Sequence, residues 1–230
     1  MFYQNKNFEY TDARAYDRRG ELSILENYVL KLWQPFLKNK IAGLSGGKVV
    51  ADLGCGTGEY AQGAKNAKKI YAVDISAPML KLCREKLKDF PQAEIIQLSV
   101  FEANLPQADL IITIGVWEYV NPKLLFKTIE KMSQKGSKII VVFPNIYNDL
   151  NLVRSVFKMK RVALRPGFIK KLFKADFRLI ESANFGMVSW VPKKLQFLAL
   201  PVWKFCDFIW RPFQKFLPLG INIYYLFERK

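Results

Sequence analysis

Histidine is missing from this chain, and cysteine is scarce at three residues. Without imidazole, Ser-His-Asp and Cys-His catalysis are excluded, and a zinc enzyme loses its commonest nitrogen ligand. Proton transfer is left to carboxylates, tyrosine, lysine or the acidity of a substrate. Cys55, Cys83 and Cys206 show no CxxC or other metal-ligand spacing, so no metal site is expected. They read as free thiols in a reducing compartment. No uninterrupted apolar run reaches the roughly 18 residues of a spanning helix. The opening MFYQNKNFEY is polar and lacks a secretory pattern, so a cytoplasmic protein is expected. Acidic residues are the other shortage, with 20 Asp and Glu against 36 Lys and Arg and a net charge of +16. The deficit is uneven. Residues 1–150 hold 20 basic against 16 acidic side chains, whereas residues 151–230 hold 16 against 4. The last third is therefore expected to face something anionic.

What is present suffices for a full core, since half of the 230 residues are apolar. Residues 21–38 place Leu22, Leu25, Val29, Leu32, Trp33 and Phe36 at helical spacing, and Gly43, Gly46 and Gly47 close that region. KVVADLG reads as a buried strand, and GEYAQGAKNA as the opening of a helix. KIYAVDIS (69–76) is a second strand, followed by a helix over 78–88. AEIIQLSV (93–100), ADLIITIGV (108–116) and SKIIVVFP (137–144) are further strands, with a helix in PKLLFKTIEKMSQ. Alternating strands and helices predict a doubly wound α/β fold with a mostly parallel sheet and helices on both faces. Residues 149–165 read as basic and irregular, 166–176 as a short helix, and FRLIESANFGMVSW and INIYYLFERK as two final strands.

The stretch VVADLGCGTGEYA (49–61) runs from a strand into a glycine-rich turn. Such a turn brings backbone N–H groups close to a ligand. By itself it is a weak signal, shared with nicotinamide-binding domains and with tight corners. Asp74, at the end of the next apolar strand, strengthens it, because a carboxylate there accepts the ribose hydroxyls of a nucleoside lying across the strand ends. Taken alone, Asp74 also reads as a helix N-cap.

VVADLGCGTGEYA together with IYAVDIS resembles the S-adenosylmethionine (SAM) site of the class I, Rossmann-like methyltransferases. The DxGxGxG form, with an acid just before the glycines, separates it from the usual nicotinamide pattern. ADLIITIGVWEYV matches the family's fourth strand and following loop, and the resemblance spans about 10–189 plus the final strand. It implies a seven-stranded sheet whose last strand is antiparallel, SAM as cofactor, and a methyltransferase activity. It implies that Gly54, Cys55, Gly56 and Gly58 approach the methionine moiety, that Asp52 helps to position it, and that Asp74 holds the ribose with Ile75 on adenine. Tyr16 and Arg19 fall where relatives place residues that cover SAM; Arg18 and Arg19 read equally as a solvated charge pair. The usual adenine-binding aspartate after the third strand is replaced by Ser99, Val100 and Phe101, so Phe101 or Glu102 would take its place. The implied layout is one domain, with an N-terminal helical cap (1–47), a core (48–189), an insertion (190–220) and a final strand (221–230).

Methyl transfer from a sulfonium needs alignment above all, and positioning contributes roughly 7–11 kcal/mol. In GVWEYV (115–120), Glu118 is a candidate base, with Trp117 and Tyr119 against substrate or cofactor; alternatively Glu118 caps the next helix and Trp117 is core. The (D/N/S)PP(Y/F) motif of nucleic acid amino-methyltransferases is missing after the fourth strand, which places a nucleic acid acceptor below a small or lipid-linked one, methylated at oxygen. A nucleic acid or protein methyltransferase, and a SAM-fold scaffold without turnover, remain alternatives. Read as a helix, 202–216 places Val202, Phe205, Ile209, Phe213 and Phe216 on one face and Lys204, Arg211 and Lys215 opposite. That pattern suits a helix lying on an anionic membrane surface at the inner face, or a stripe packed on the sheet edge; Pro212 argues against one continuous helix.

Overall fold

The computed structural model describes residues 12–156, 163–188, 191–214 and 218–230. Short runs rich in Val, Ile and aromatic residues form the strands β1 (Val49–Leu53), β2 (Lys69–Asp74), β3 (Ala93–Gln97), β4 (Ala108–Ile114), β5 (Ser133–Pro144), β6 (Phe177–Phe185) and β7 (Asn222–Arg229). They make one seven-stranded sheet in the order β3-β2-β1-β4-β5-β7-β6. β1 pairs in parallel with both β2 and β4. β7 is antiparallel to both β5 and β6. The sheet is that of the class I methyltransferases, as the sequence implies.

The helices are α1 (Ala13–Asp17), α2 (Arg19–Leu22), α3 (Ile24–Ser45), α4 (Ala77–Lys86), α5 (Pro122–Met132), α6 (Asp149–Val156), α7 (Pro166–Phe173) and α8 (Gln196–Trp210). One face of the sheet packs Val50, Ile70 and Ile112 against Leu37 and Ile41 of α3, Leu80 of α4 and Trp203 of α8. The other packs Ile111, Ile139 and Phe227 against Leu125 and Ile129 of α5 and Phe173 of α7.

Four elements differ from the sequence reading. The helix over 21–38 starts at Ile24, where Ser23 caps it by accepting the Glu26 N–H at 3.4 Å. It runs through Gly43 to Ser45, because Leu37, Ile41 and Ser45 are all fully buried at four-residue spacing and carry it past the glycine. The helix expected after the glycine loop shrinks to a 3-10 turn over Ala61–Ala64. Ala61, Gln62 and Ala64 are good helix formers, so only Gly63 is locally unfavourable, and it lies so close under α3 that a Cβ there would approach the Ile41 side chain to 3.2 Å. Residues 149–156 are helical, not irregular: Leu150 is buried, and the Asn151 amide donates to the carbonyls of Asn145 and Ile221. The helix read over 202–216 begins earlier, at Gln196, and ends at Trp210 with a 3-10 turn over Arg211–Phe213. Pro212 sits in that terminal turn, while Lys215 and Phe216 lie outside the described residues.

Phe173 joins two elements, since its ring is fully buried and stacks on Phe227 with centroids 4.3 Å apart. Phe173→Ala should cost about 3–5 kcal/mol. Urea denaturation followed by far-UV circular dichroism will show it as a lowered midpoint with an unchanged slope.

Candidate active site

Between β1 and β4 the strand order reverses direction, and ligands of open α/β sheets bind outside the carboxyl ends of the strands at such a point. β1 ends there at Leu53, and the chain turns through Gly54–Gly58. The Gly54 and Cys55 N–H groups both donate to the Val73 carbonyl, at 2.8 and 2.9 Å, tying the turn to β2. Gly54 has φ +74, and a Cβ there would meet Val116 at 2.9 Å. Gly56 has φ +53, and a Cβ there would project into space with nothing within 4 Å. The backbone of the turn is thus left open to a ligand.

Asp74 ends β2 beside this turn. Its Oδ2 accepts the Gly56 N–H and its Oδ1 the Ser76 N–H, both at 2.9 Å. Ser76, rather than Asp74, caps α4. A cavity of about 400 Å³ opens over these groups. Gly54, Cys55, Gly56, Asp74, Ile75, Phe101, Glu102, Tyr16, Arg19 and Tyr119 all line it. Asp52 and Gly58 do not. Gly58 faces Cys83, whose Sγ a Cβ would meet at 2.8 Å. Asp52 is buried beneath the turn, and its Oδ2 has no hydrogen-bond partner. Burial first, and then the charge of Asp74, push the Asp52 carboxyl up to about 7. Burial also raises Asp74, against the hydrogen bonds of Ser76, Gly56 and Ile75 that hold it down.

A second, smaller cavity of about 80 Å³ adjoins the first. Tyr16, Arg19, Tyr60, Ile114, Gly115 and Tyr119 line both. Glu118 lines only the smaller one, with Glu26, Asn151 and Asn222 among its polar neighbours and Leu25, Val29, Leu30 and Trp33 of α3 among its apolar ones. Glu118 does not cap α5; Asn121 does, accepting the Lys123 N–H at 3.0 Å. Trp117 turns the other way into the core, where its Nε1 donates to Thr113 Oγ1 at 2.9 Å.

Arg18 pairs with Glu21 at the surface, whereas Arg19 lies 4.1 Å over the Tyr16 ring at the junction of the two cavities. The helix before it is anchored to the glycine turn. Asp17 accepts from Thr57 Oγ1 at 2.7 Å and from Lys86, and Lys86 also donates to Glu59, which pairs with Lys38 of α3. Burial raises the Asp17 and Glu59 carboxyls, but the hydrogen bonds and charges of the lysines outweigh it, and both end below their ordinary values. Sequence reasoning missed this network and the cavity residues Tyr60 and Met79, because their roles depend on how α3 and α4 cross the turn. Among the described residues no cluster of three or more His, Cys, Asp or Glu could hold a metal ion.

This sheet order, with a glycine turn and an acid on neighbouring strand ends, defines the class I, Rossmann-like methyltransferase fold. Residues 51–141, from β1 into β5, match the family model described as a methyltransferase domain. A carboxy-S-adenosyl-L-methionine synthase of Helicobacter pylori (strain G27) is 26% identical over 224 residues, covering 85% of this chain and 94% of that protein. The structure of a magnesium protoporphyrin IX methyltransferase from Synechocystis PCC 6803 with bound SAH superposes with a TM-score of 0.66, at 13% identity and over 96% of both chains. The N-methyltransferase NodS of Bradyrhizobium japonicum WM9, in complex with S-adenosyl-L-homocysteine, gives 0.64 at 10% identity over 92% of this chain and 90% of that one. The family model matched over 51–141 and the fold shared with these solved structures are those of class I SAM-dependent methyltransferases.

The raised Asp52 carboxyl sets a pH dependence. It keeps its proton in the folded state up to about 7, whereas an unfolded aspartate loses it near 3.8. The unfolded chain therefore binds fewer protons in this window, and stability falls as pH rises through it. Asp52→Asn should leave the melting temperature nearly unchanged at about pH 4 and raise it by about 4 °C or more at pH 8. Differential scanning calorimetry across that range checks it.

Proposed function

We propose that this protein transfers the methyl group of SAM to a hydroxyl oxygen of a small or lipid-linked acceptor held in the smaller cavity. The observation that carries this reading is the pair of adjoining cavities, one over the glycine turn and one at Glu118, sharing Arg19 and Tyr119 as a common wall. The larger one fits the cofactor in charge as well as size. Asp52 and Asp74 lie close enough to repel, and one Asp52 oxygen is buried without a partner. That is an environment completed by a cation, and SAM brings an ammonium and a sulfonium. When bound, SAM supplies the methyl group and the leaving group.

The chain's own residues then bind and orient. Gly54, Cys55 and Gly56 offer backbone to the amino acid end, and Asp74 offers the remaining lone pairs of its carboxylate to the ribose. Ile75 and Phe101 flank the base, and Glu102 stands in for the aspartate that relatives carry. Tyr16 and Arg19 cover the junction and exclude water. In the smaller cavity, Glu118 accepts the hydroxyl proton and Tyr119 orients the acceptor, between apolar walls from α3. The whole chain works as one methyltransferase domain in this reading, with 1–47 as its cap and 190–220 as an insertion before the last strand.

A second reading rests on the curated relatives, whose name specifies a product in which SAM itself carries a carboxyl group. Arg19 at the junction suits a carboxylate there. Mass spectrometry of adenosine-containing products separates the readings. S-adenosyl-L-homocysteine accumulating with a methylated oxygen acceptor supports methyl transfer, carboxy-SAM supports the second reading, and neither product leaves a scaffold. Uptake of labelled methyl by RNA or protein from an extract would instead select the macromolecular alternative.

Losing the Asp74 acceptor should weaken the cofactor by about 1.5–3 kcal/mol. Titration calorimetry on Asp74→Ala is expected to show SAM bound at least tenfold more weakly, with a native circular dichroism spectrum. Unchanged affinity would remove the ribose role, and NADH bound more tightly than SAM would overturn the cofactor. Glu118→Gln should lower kcat at least a hundredfold with SAM affinity unchanged; an unaltered kcat in single-turnover kinetics refutes a base at this position.

A further inference from the structure

Trp203 and Trp210 hold α8 to the body of the protein, and the phenylalanines do not. Both indoles are buried, and Trp203 stacks on Tyr28 of α3 with ring centroids 6.3 Å apart. Gln196, at the start of α8, accepts the Leu25 N–H at 3.2 Å, and the Tyr28 hydroxyl donates to Asp207. The opposite side of the helix is bare. Leu198, Val202, Phe205, Phe208 and Ile209 are 52–75% exposed. At about 100° per residue, Leu198, Val202, Phe205 and Ile209 fall within an arc of about 60°, with Phe208 about 60° beyond it. Leu195, Phe197 and Phe213 extend the patch, so that eight of the fifteen exposed large hydrophobic residues among the described residues lie in 195–213. An apolar patch this contiguous marks a contact surface.

Charge identifies what covers it. Lys193, Lys194, Lys204 and Arg211 are exposed, and the ion pairs among the described residues engage none of them. Asp207 is the one acid in 191–214, and it is turned inward to Tyr28 and to the Met187 N–H at 2.6 Å. α8 thus carries an exposed apolar arc, exposed basic residues farther round the helix on the Phe208 side, and no outward-facing acid. A second copy would bring like charges together on a chain that already carries +16. An anionic bilayer offers an apolar layer and the opposite charge at once. No helix among the described residues is long and apolar enough to cross a membrane, so a helix of this kind lies on the surface.

We infer that α8 is a docking helix for an anionic lipid surface, with its apolar arc sunk among the headgroups and Lys204 and Arg211 against the phosphates. The same α3 that anchors α8 walls the smaller cavity, so the docking helix and the cavity share one support. The inference concerns this surface and stands apart from which acceptor is methylated.

The test is sedimentation of the full chain with vesicles of phosphatidylcholine alone and of phosphatidylcholine with an equal part of phosphatidylglycerol. Binding should be at least tenfold tighter to the anionic vesicles and weaken as salt is raised. Phe205→Ser with Phe208→Ser should weaken it at least tenfold with the melting temperature unchanged, because neither ring is core. Lys204→Gln with Arg211→Gln should weaken it by about tenfold and flatten the salt dependence. Trp203→Ala, which removes the anchor, should lower the melting temperature. If the Phe pair unfolds the protein, the Lys/Arg pair decides, and unchanged anionic binding there overturns the inference. So does binding with no preference for anionic vesicles. A dimer in analytical ultracentrifugation that the Phe pair abolishes, or RNA binding with a steep salt slope in place of vesicle binding, overturns it as well.

Discussion

The carboxylate of Asp74 holds together the two loops on which the site is built. One oxygen takes the Gly56 N–H from the end of β1 and the other takes the Ser76 N–H from the start of α4. With the Val73 carbonyl accepting from both Gly54 and Cys55, the glycine turn is pinned to β2 at three backbone donors. The turn is flexible by composition and ordered by these contacts, and its open side is therefore presented in one conformation. Asp74 accordingly has a structural role besides the ligand-facing one that its place in the cavity wall supports.

The same clamp creates an electrostatic tension. Fixing Asp74 over the turn brings it near the buried Asp52, and the two acids raise the cost of each other's charge in a place where water cannot relieve it. Asp74 faces the cavity, while Asp52 stays behind its wall. The rim is stabilised in the opposite sense, by a Lys86-centred network that draws α1, the glycine turn, α4 and, through Glu59 and Lys38, α3 together. Burial of these pairs is only partial, so the network ties α1 and α3 to the glycine turn while its charges stay in contact with solvent.

α8 separates two uses of aromatic side chains on one helix. Its tryptophans face inward and its phenylalanines outward, an inversion of what burial of the most apolar residues alone would give. Trp and Tyr combine large contact area with a polar handle, and here Tyr28 spends that handle on Asp207. The phenylalanines are thereby released from the core, and the face they form belongs to the molecule's surface chemistry.

The sequence by itself determined the strands, through the methyltransferase resemblance their number and the antiparallel last one, and the place of the larger cavity. Those features follow from local rules: period-two or continuous apolar runs make strands, and alternating helices make them parallel. A glycine turn with an acid on the next strand can only meet at adjacent carboxyl ends. The stretch after Gly58 was misread because its failure as a helix comes from α3 lying across Gly63, a contact between distant residues. The α6 helix was misread because Asn151 finds its partners at Asn145 and Ile221 only after the chain has folded back. Asp52 and Gly58 belong to the motif and yet fall behind the cavity wall, and Trp117 points away from the loop's neighbours Glu118 and Tyr119. Spacing alone does not say which of several adjacent side chains turns toward a pocket. The face of α8 was the last such choice: the apolar stripe was visible in the residues, but whether it packed inward or stood in solvent was decided by Trp203 and Asp207 docking on Tyr28 of α3, because a helix can bury only one side against its support.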